Sequence, residues 1–382
     1  MRNPIFRAVA TFVLTLGFVS ALPASAQIRS APATPQARSA DWPQIGFDAG
    51  HSGYNPYETI LSPSTVGGLH LRWTRSGVSF PVVAKGLLFA SDASEFRLSA
   101  FDARSGALRW QGDPTPESPG APAFDGGRVY ATSYGPELYA FDAHTGTLLW
   151  SSTGPAYGFS PPTIKRGRVY VGDPGTSYSF AFDEMSGDQL WAVDSFPENT
   201  NAQPVAADGL VFLGPPFTAV NAATGKIVWT SSISGGSPTA VGGVLYTTVE
   251  YSSVDAVDAA DGTIVWSTEI GGYGGLLAVA NGVVYAGNSL GTVTALEAAT
   301  GHNLWTATVG AFAIGGTPAV ANGVVYAGSV DGQLAAIDAG TGVVLWSKKL
   351  PASVVSSIVV NGMLYATTAD NAGVVAVYAF GL

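Results

Sequence analysis

The chain contains no cysteine in its 382 residues. That excludes disulfides, cysteine-ligated metals, a c-type haem attachment and a lipid-modified N-terminal cysteine. Charged residues are scarce too, at 12%, and histidine and methionine occur only four and three times. The histidines, His51, His70, His144 and His302, stand in unrelated contexts and offer neither a metal triad nor a Ser-His-Asp arrangement. Positive charge is the scarcer sign. The net charge is −10, or −12 once the two arginines of the first 26 residues are set aside. Such a chain is a poor partner for nucleic acid, whose phosphates need clustered Lys and Arg.

What the chain has instead is glycine (48 copies), proline (24) and a regular spacing of tryptophan. Trp73, Trp110, Trp150, Trp191, Trp229, Trp266, Trp305 and Trp346 recur every 37 to 41 residues, a period that marks a repeat architecture. Seven of them end one frame, as in Ala-Phe-Asp142-Ala-His-Thr-Gly146-Thr-Leu-Leu-Trp150 and Ala-Ile-Asp338-Ala-Gly-Thr-Gly342-Val-Val-Leu-Trp346. A second frame lies between them. A proline precedes a glycine by five residues and an aromatic by eight, as in Pro122/Gly127/Tyr130 and Pro318/Gly323/Tyr326, with Leu277 and Ser357 replacing the proline in two copies. Four of the glycines follow Asn281, Asn322, Asn361 or Asp208, the signal of a type I′ hairpin turn.

Each unit therefore reads as four short antiparallel strands, A to D, with A starting at the proline and D ending at the tryptophan. A lone sheet of this size leaves both faces partly bare, so the units must stack as propeller blades, with the tryptophan as the wedge between neighbours. The chain opens on a D strand alone (Leu69 to Trp73), continues through seven whole units and closes on an A-B-C unit. Pairing the two incomplete ends makes one more blade and leaves no open edge. The expected fold is an all-β, eight-bladed propeller. Trp42 falls outside the repeat and is expected to contribute less to stability than Trp73.

The frame Ala-x-Asp-x-x-Thr-Gly-x-x-x-Trp resembles the repeat of pyrroloquinoline-quinone (PQQ) type propellers, and the resemblance covers roughly residues 42 to 382. The segment Trp42-Pro-Gln-Ile-Gly-Phe-Asp-Ala-Gly-His51-Ser-Gly-Tyr-Asn55-Pro also looks like the lead-in to such propellers. The resemblance implies one of two activities: PQQ-dependent alcohol or sugar dehydrogenation with PQQ and calcium, or a non-catalytic role like that of the propeller in outer-membrane barrel assembly. The dehydrogenases place a disulfide lid and a tryptophan floor around the quinone. This chain has no cysteine, and eight of its nine tryptophans are committed to docking, so no catalytic, cofactor or metal residue is carried over.

The first 26 residues read as a signal peptide: Arg2 and Arg7, an apolar run from Ala8 to Leu22 that is short for a membrane span, and Ala24-Ser25-Ala26. Residues 27 to 40 form a polar, proline-rich tether, and 41 to 382 the propeller. A secreted or periplasmic monomer is expected, soluble, without lipid anchor or stable membrane insertion.

Acids gather in two loop classes that share one face of a four-stranded propeller. The B–C loops hold Asp92, Glu95, Glu137, Asp173, Glu250, Asp331 and Asp370, and the D–A loops hold Asp113, Glu117, Asp194 and Glu198. They either solvate the loops or form an acidic rim for a cation or a basic partner surface. The opposite face carries Lys85, Arg104, Lys165, Arg166, Arg168 and Lys226. The repeated Asp102, Asp142, Asp183, Asp258 and Asp338, with Asn221 and Glu297 in their place twice, are expected to bond turn backbone rather than to act as catalysts. Tyr157, Phe159, Phe196, Tyr273 and Phe312 in the D–A connections are expected to close the top of the core.

Three function classes are consistent with this reading. They are an envelope scaffold holding a protein or peptide, a PQQ-dependent dehydrogenase, and a propeller that binds a small ligand or glycan. The scaffold is preferred, with an unknown envelope or extracellular protein as its partner and no cofactor. Export with cleavage after Ala26 is expected to give a mature protein beginning at Gln27. N-terminal sequencing checks this, and an intact Met1 on membrane-retained protein would overturn it.

Overall fold

The computed structural model describes residues 40–382 apart from 93–94, 114, 116–119, 134, 155–157, 174–175, 195–202 and 250–251. The signal peptide, nearly all of the tether, Glu117, Tyr157, Phe196, Glu198 and Glu250 thus lie outside the described residues. Eight sheets of four antiparallel strands follow one another along the chain, the seventh joined at its inner edge by Tyr54–Asn55 running parallel. The first blade is Val78–Ala84, Leu87–Asp92, Arg97–Asp102 and Leu108–Gln111. Blades 2 to 7 repeat it, with A strands beginning at Ala123, Thr163, Val205, Thr239, Gly274 and Ala319. Blade 8 takes Ser353–Val360, Met363–Ala369 and Val375–Gly381 from the C-terminal end and His70–Ser76 from the N-terminal end. Trp73 pairs there with Ala379, and the A strand of blade 8 touches that of blade 1. The protein is an eight-bladed, all-β propeller closed by its own termini.

Turn chemistry explains the hairpins. In every A–B turn the residue before the glycine has positive φ, from 45° at Asn322 to 61° at Gly242, as a type I′ turn requires. In the C–D turns the repeated acid accepts backbone N–H groups. Asp142 takes those of His144 and Thr145 at 3.0 and 2.8 Å and the Thr145 hydroxyl at 2.9 Å. Asp102, Asp183, Asn221 and Asp338 do the same.

The glycine of Thr-Gly has two reasons to be glycine. Gly146 has φ 75°, and a Cβ there would lie 2.5 Å from the Trp110 ring of the preceding blade. The indole thus packs flat on a bare turn. Its N–H then reaches the carbonyl after the acid, as in Trp110 Nε1 to Ala143 O at 3.0 Å and Trp229 Nε1 to Ala259 O at 3.0 Å. Seven of the eight rings also lean on the strand-B aromatic of their own blade, 5.9 Å away for Phe89–Trp110 and Tyr170–Trp191, whereas Trp346 meets Phe380 of blade 8 edge-on. Blade 8 has no C–D turn. Trp346 bonds Leu69 O at 3.2 Å instead, directly after the 3-10 turn Val66–Gly68, so a piece of the N-terminal segment replaces the missing turn.

The lead-in corrects the expectation for Trp42. The A strands are the inner edges of the sheets, and residues 42–55 run past all eight in order, bonding the residue two places after the proline position. Trp42 pairs with Val83, Pro43 O accepts Phe124 N, and the Gln44 amide takes Ile164 N. Ala49, Gly50, Ser52 and Gly53 carbonyls accept from Ala206, Ala240, Val279 and Val320, and Asn55 Nδ2 donates to Val359 O. Gly50 and Gly53 are forced by this close passage: a Cβ on Gly50 would stand 2.4 Å from Ala240 O, and one on Gly53 2.8 Å from Ala278 Cβ. Trp42 is 3% exposed, whereas Trp73 is only half-buried.

Trp42→Ala is therefore expected to cost at least as much as Trp73→Ala, about 3–5 kcal/mol in chemical denaturation. Deleting residues 41–76 removes both the inner ring and the eighth blade's outer strand and is expected to give aggregation. A monomeric deletion variant with an unchanged melting temperature would show that neither element closes the fold.

Candidate functional site

Because the lead-in crosses the A strands near their A–B turns, it blocks one end of the central channel. The other end, where the D–A and B–C loops gather, opens as a funnel of about 270 Å³. Trp42, Ile45 and Gly46 form its floor. Phe80, Pro161, Gln203, Ser237, Leu276, Thr317 and Ser356 line its wall, all at the register position just before the proline. Among the described residues, none that lines it is titratable. Under the floor, His51 is buried with Nε2 3.2 Å from Thr163 Oγ1, and burial lowers its pKa to about 4, so the ring is neutral.

Phe80 is a wall residue that the repeat frame does not single out. It adopts φ 48° in a bulge between Ser79 and Val82 and remains exposed, an uncommon conformation for a bulky side chain. No sequence signal separates it from Ala121 or Ser237, which occupy the same place in their blades.

The aromatics of the D–A connections divide. Phe159 closes the core as expected, edge-on to Phe180 and Phe182. Tyr273 and Phe312 do not, being 61% and 62% exposed. Gly271 and Gly272, just before Tyr273, adopt φ 70° and 64°. Together with Leu290 and Val330 from the adjoining B–C loops, the two aromatic rings make an apolar rim over blades 5 to 7, beside a groove lined by Gly235, Thr248 and Tyr273.

The acids of the B–C loops are on the funnel's face but are spread around it, and each described one is engaged locally. Asp92 accepts Glu95 N at 3.1 Å, and Glu95 lies 3.8 Å from Arg97. Glu137 accepts the Ser133 hydroxyl at 2.7 Å, and the buried Asp173 accepts that of Thr176. Asp331 pairs with Lys349 at 3.1 Å, and Asp370 takes Ala372 N and Val374 N at 2.9 and 2.8 Å. Among the described residues no three carboxylates or imidazoles come close enough to hold a metal.

A family model described as outer membrane protein assembly factor BamB matches residues 94–288, 217–308 and 289–380, well over half of the chain. The chain belongs to this PQQ-repeat propeller family. Solved structures with the same fold include a europium-containing methanol dehydrogenase, 13% identical, with TM-score 0.74 over 91% of this chain and 99% of that one. The quinohemoprotein alcohol dehydrogenase from Comamonas testosteroni is 17% identical, with TM-score 0.71 over 91% and 81%. BamB from Moraxella catarrhalis is 21% identical, with TM-score 0.66 over 81% and 99%. A search by sequence against curated proteins finds no significant match. At these identities the structures speak for the fold alone.

On the opposite face this member of the PQQ-repeat family departs from its own repeat in blades 2 and 3. Glu184 stands where Ala103, Ala143, Ala222, Ala259, Ala298 and Ala339 follow the acid elsewhere. It is buried and accepts the Tyr130 hydroxyl at 3.2 Å, while Trp150 Nε1 lacks the carbonyl partner its counterparts find. Burial first, then the charge and hydrogen bond of Asp125, raise its pKa to about 7, against the pull of Tyr130 and Arg128. The folded state therefore holds this proton more tightly than the unfolded chain. The stability it contributes is complete below the ordinary 4.5 and lost as pH rises through about 7. His51 acts with the opposite sign, its contribution complete above 6.5 and lost as pH falls to about 4. Glu184→Gln is expected to flatten the decline in melting temperature between roughly pH 5 and 8 while sparing the acid-side loss. The same slope in variant and parent would show that the carboxylate is ionised throughout.

Proposed function

We propose that the chain is an exported, non-catalytic propeller that holds a protein or peptide of the cell envelope on its loop face. The observation that carries this reading is the apolar rim of Tyr273, Leu290, Phe312 and Val330 beside a funnel whose described lining holds no titratable group. Exposed apolar patches of this kind mark interaction sites, and aromatic anchors supply much of the binding energy in such interfaces. Family membership supports it by analogy, since the matching model is described as an assembly factor.

The dehydrogenase reading meets a poor fit. A quinone carrying several carboxylates needs cationic partners, and the oxidation needs a base. Among the described residues the funnel offers the neutral Gln203, Ser237, Thr317 and Ser356 among apolar walls. Reconstitution with PQQ and calcium is expected to give no dye reduction with alcohols or aldoses. The partner reading is checked with Tyr273→Asp/Phe312→Asp. This variant is expected to keep its melting temperature and to lose, by at least about tenfold, the envelope protein that the parent captures. Capture unaffected by the variant, or quinone-dependent turnover, would refute the proposal.

A further inference from the structure

We infer a second binding site in the notch between blades 3 and 4, on the face opposite the funnel, for a carboxylate carried on a short apolar body. The notch encloses about 230 Å³ between Lys165, Arg166 and Arg168 of blade 3 and Ala206, Leu210 and Ala222 of blade 4.

Two register positions single it out. The residue after the A–B turn glycine is Leu, Val or Met in six blades and arginine only at Arg128 and Arg168. The residue two places before that glycine is Ala or Val in the same six, but Asp125 and Lys165 in blades 2 and 3. The blade packs with small or apolar residues at both places, so the charges answer to something other than the fold.

The two arginines then part company. Arg128 has a protein acceptor, donating to Met185 O at 2.9 Å beside the Asp125 and Glu184 carboxylates. Arg168 makes no hydrogen bond or ion pair among the described residues, and its Nε is fully shielded from solvent. Its cross-strand neighbour Asp183, whose carboxyl the Arg168 charge helps hold down, makes no ion pair with it and already accepts Met185 N, Ser186 N and the Ser186 hydroxyl. Lys165 reaches only a backbone carbonyl, Ala206 O at 3.0 Å. A shielded guanidinium N–H without an acceptor is unfavourable unless a ligand supplies one. The planar fork matches a carboxylate, and the alanine and leucine walls suit a hydrocarbon body better than a third or fourth phosphate oxygen.

A free short-chain acid and the carboxyl terminus of a peptide share this chemistry. Calorimetry on the exported chain compares hexanoate, hexanamide, inorganic phosphate, and a tripeptide ending in leucine with its C-terminal amide. Hexanoate or the free-acid peptide is expected to bind one to one, weakening with salt, and the amides at least about tenfold less well. Whichever acid binds more tightly identifies the source. Arg168→Met is expected to abolish binding while leaving the ligand-free melting temperature unchanged or raised, and Arg168→Lys to restore only part of the affinity. Equal binding of acid and amide, equal binding of phosphate, no binding of either acid, or a marked fall in melting temperature for ligand-free Arg168→Met would each overturn the inference.

Discussion

The inner edge of each blade governs the rest of the molecule. An A strand bonds to B on one side only, and its other N–H and C=O groups face the axis, where leaving them unpaired would cost free energy in every blade at once. The solution is a fourteen-residue stretch of the chain's own N-terminal part, residues 42–55, which meets one register position on each of the eight edges in turn. That segment fixes the number of edges that can be served, brings His70–Ser76 to the eighth sheet and supplies Leu69 O to Trp346. It also decides that the channel opens at one end.

The periphery was legible in the sequence because it repeats. The Asp-to-Trp frame stands for a turn whose acid bonds backbone and whose glycine receives the neighbouring indole. Every copy states the same geometry, so the blade count and the ring closure at Trp73 and Ala379 follow from order along the chain. The inner ring was not legible, because residues 42–55 occur once. Nothing in the glycines of that segment distinguishes a loose leader from a path threaded against Ala240 O and Ala278 Cβ. Trp42 was undervalued for the same reason. The loop aromatics failed differently: burial depends on how each connection bends, and Phe159 turns inward while Phe312 does not.

In a repeat fold, what all blades share is what stacking requires. What one or two blades change therefore carries information that no single blade would. Glu184 fills a place where six alanines serve and gathers Asp125 and Tyr130 around one proton, and Trp150 is the tryptophan of that junction whose N–H has no acceptor. Lys165 and Arg168 stand where the repeat uses alanine or valine and a plain apolar residue. The two adjoining blade junctions thus differ on nearly the same backbone: the first meets its charges internally, and the second leaves Arg168 Nε without an acceptor.

The blocked channel makes the two faces separate surfaces. A ligand entering the funnel meets Trp42, Ile45 and Gly46 at its floor, and the basic notch shares no lining residue with it. Communication between the faces would have to pass through the blades, whose A strands are held by the inner ring and whose outer strands are held by the tryptophans. A frame fastened at both radii has few soft modes along the strands, so occupancy on one face has little means of altering affinity on the other. Such a body holds its two faces at a fixed separation.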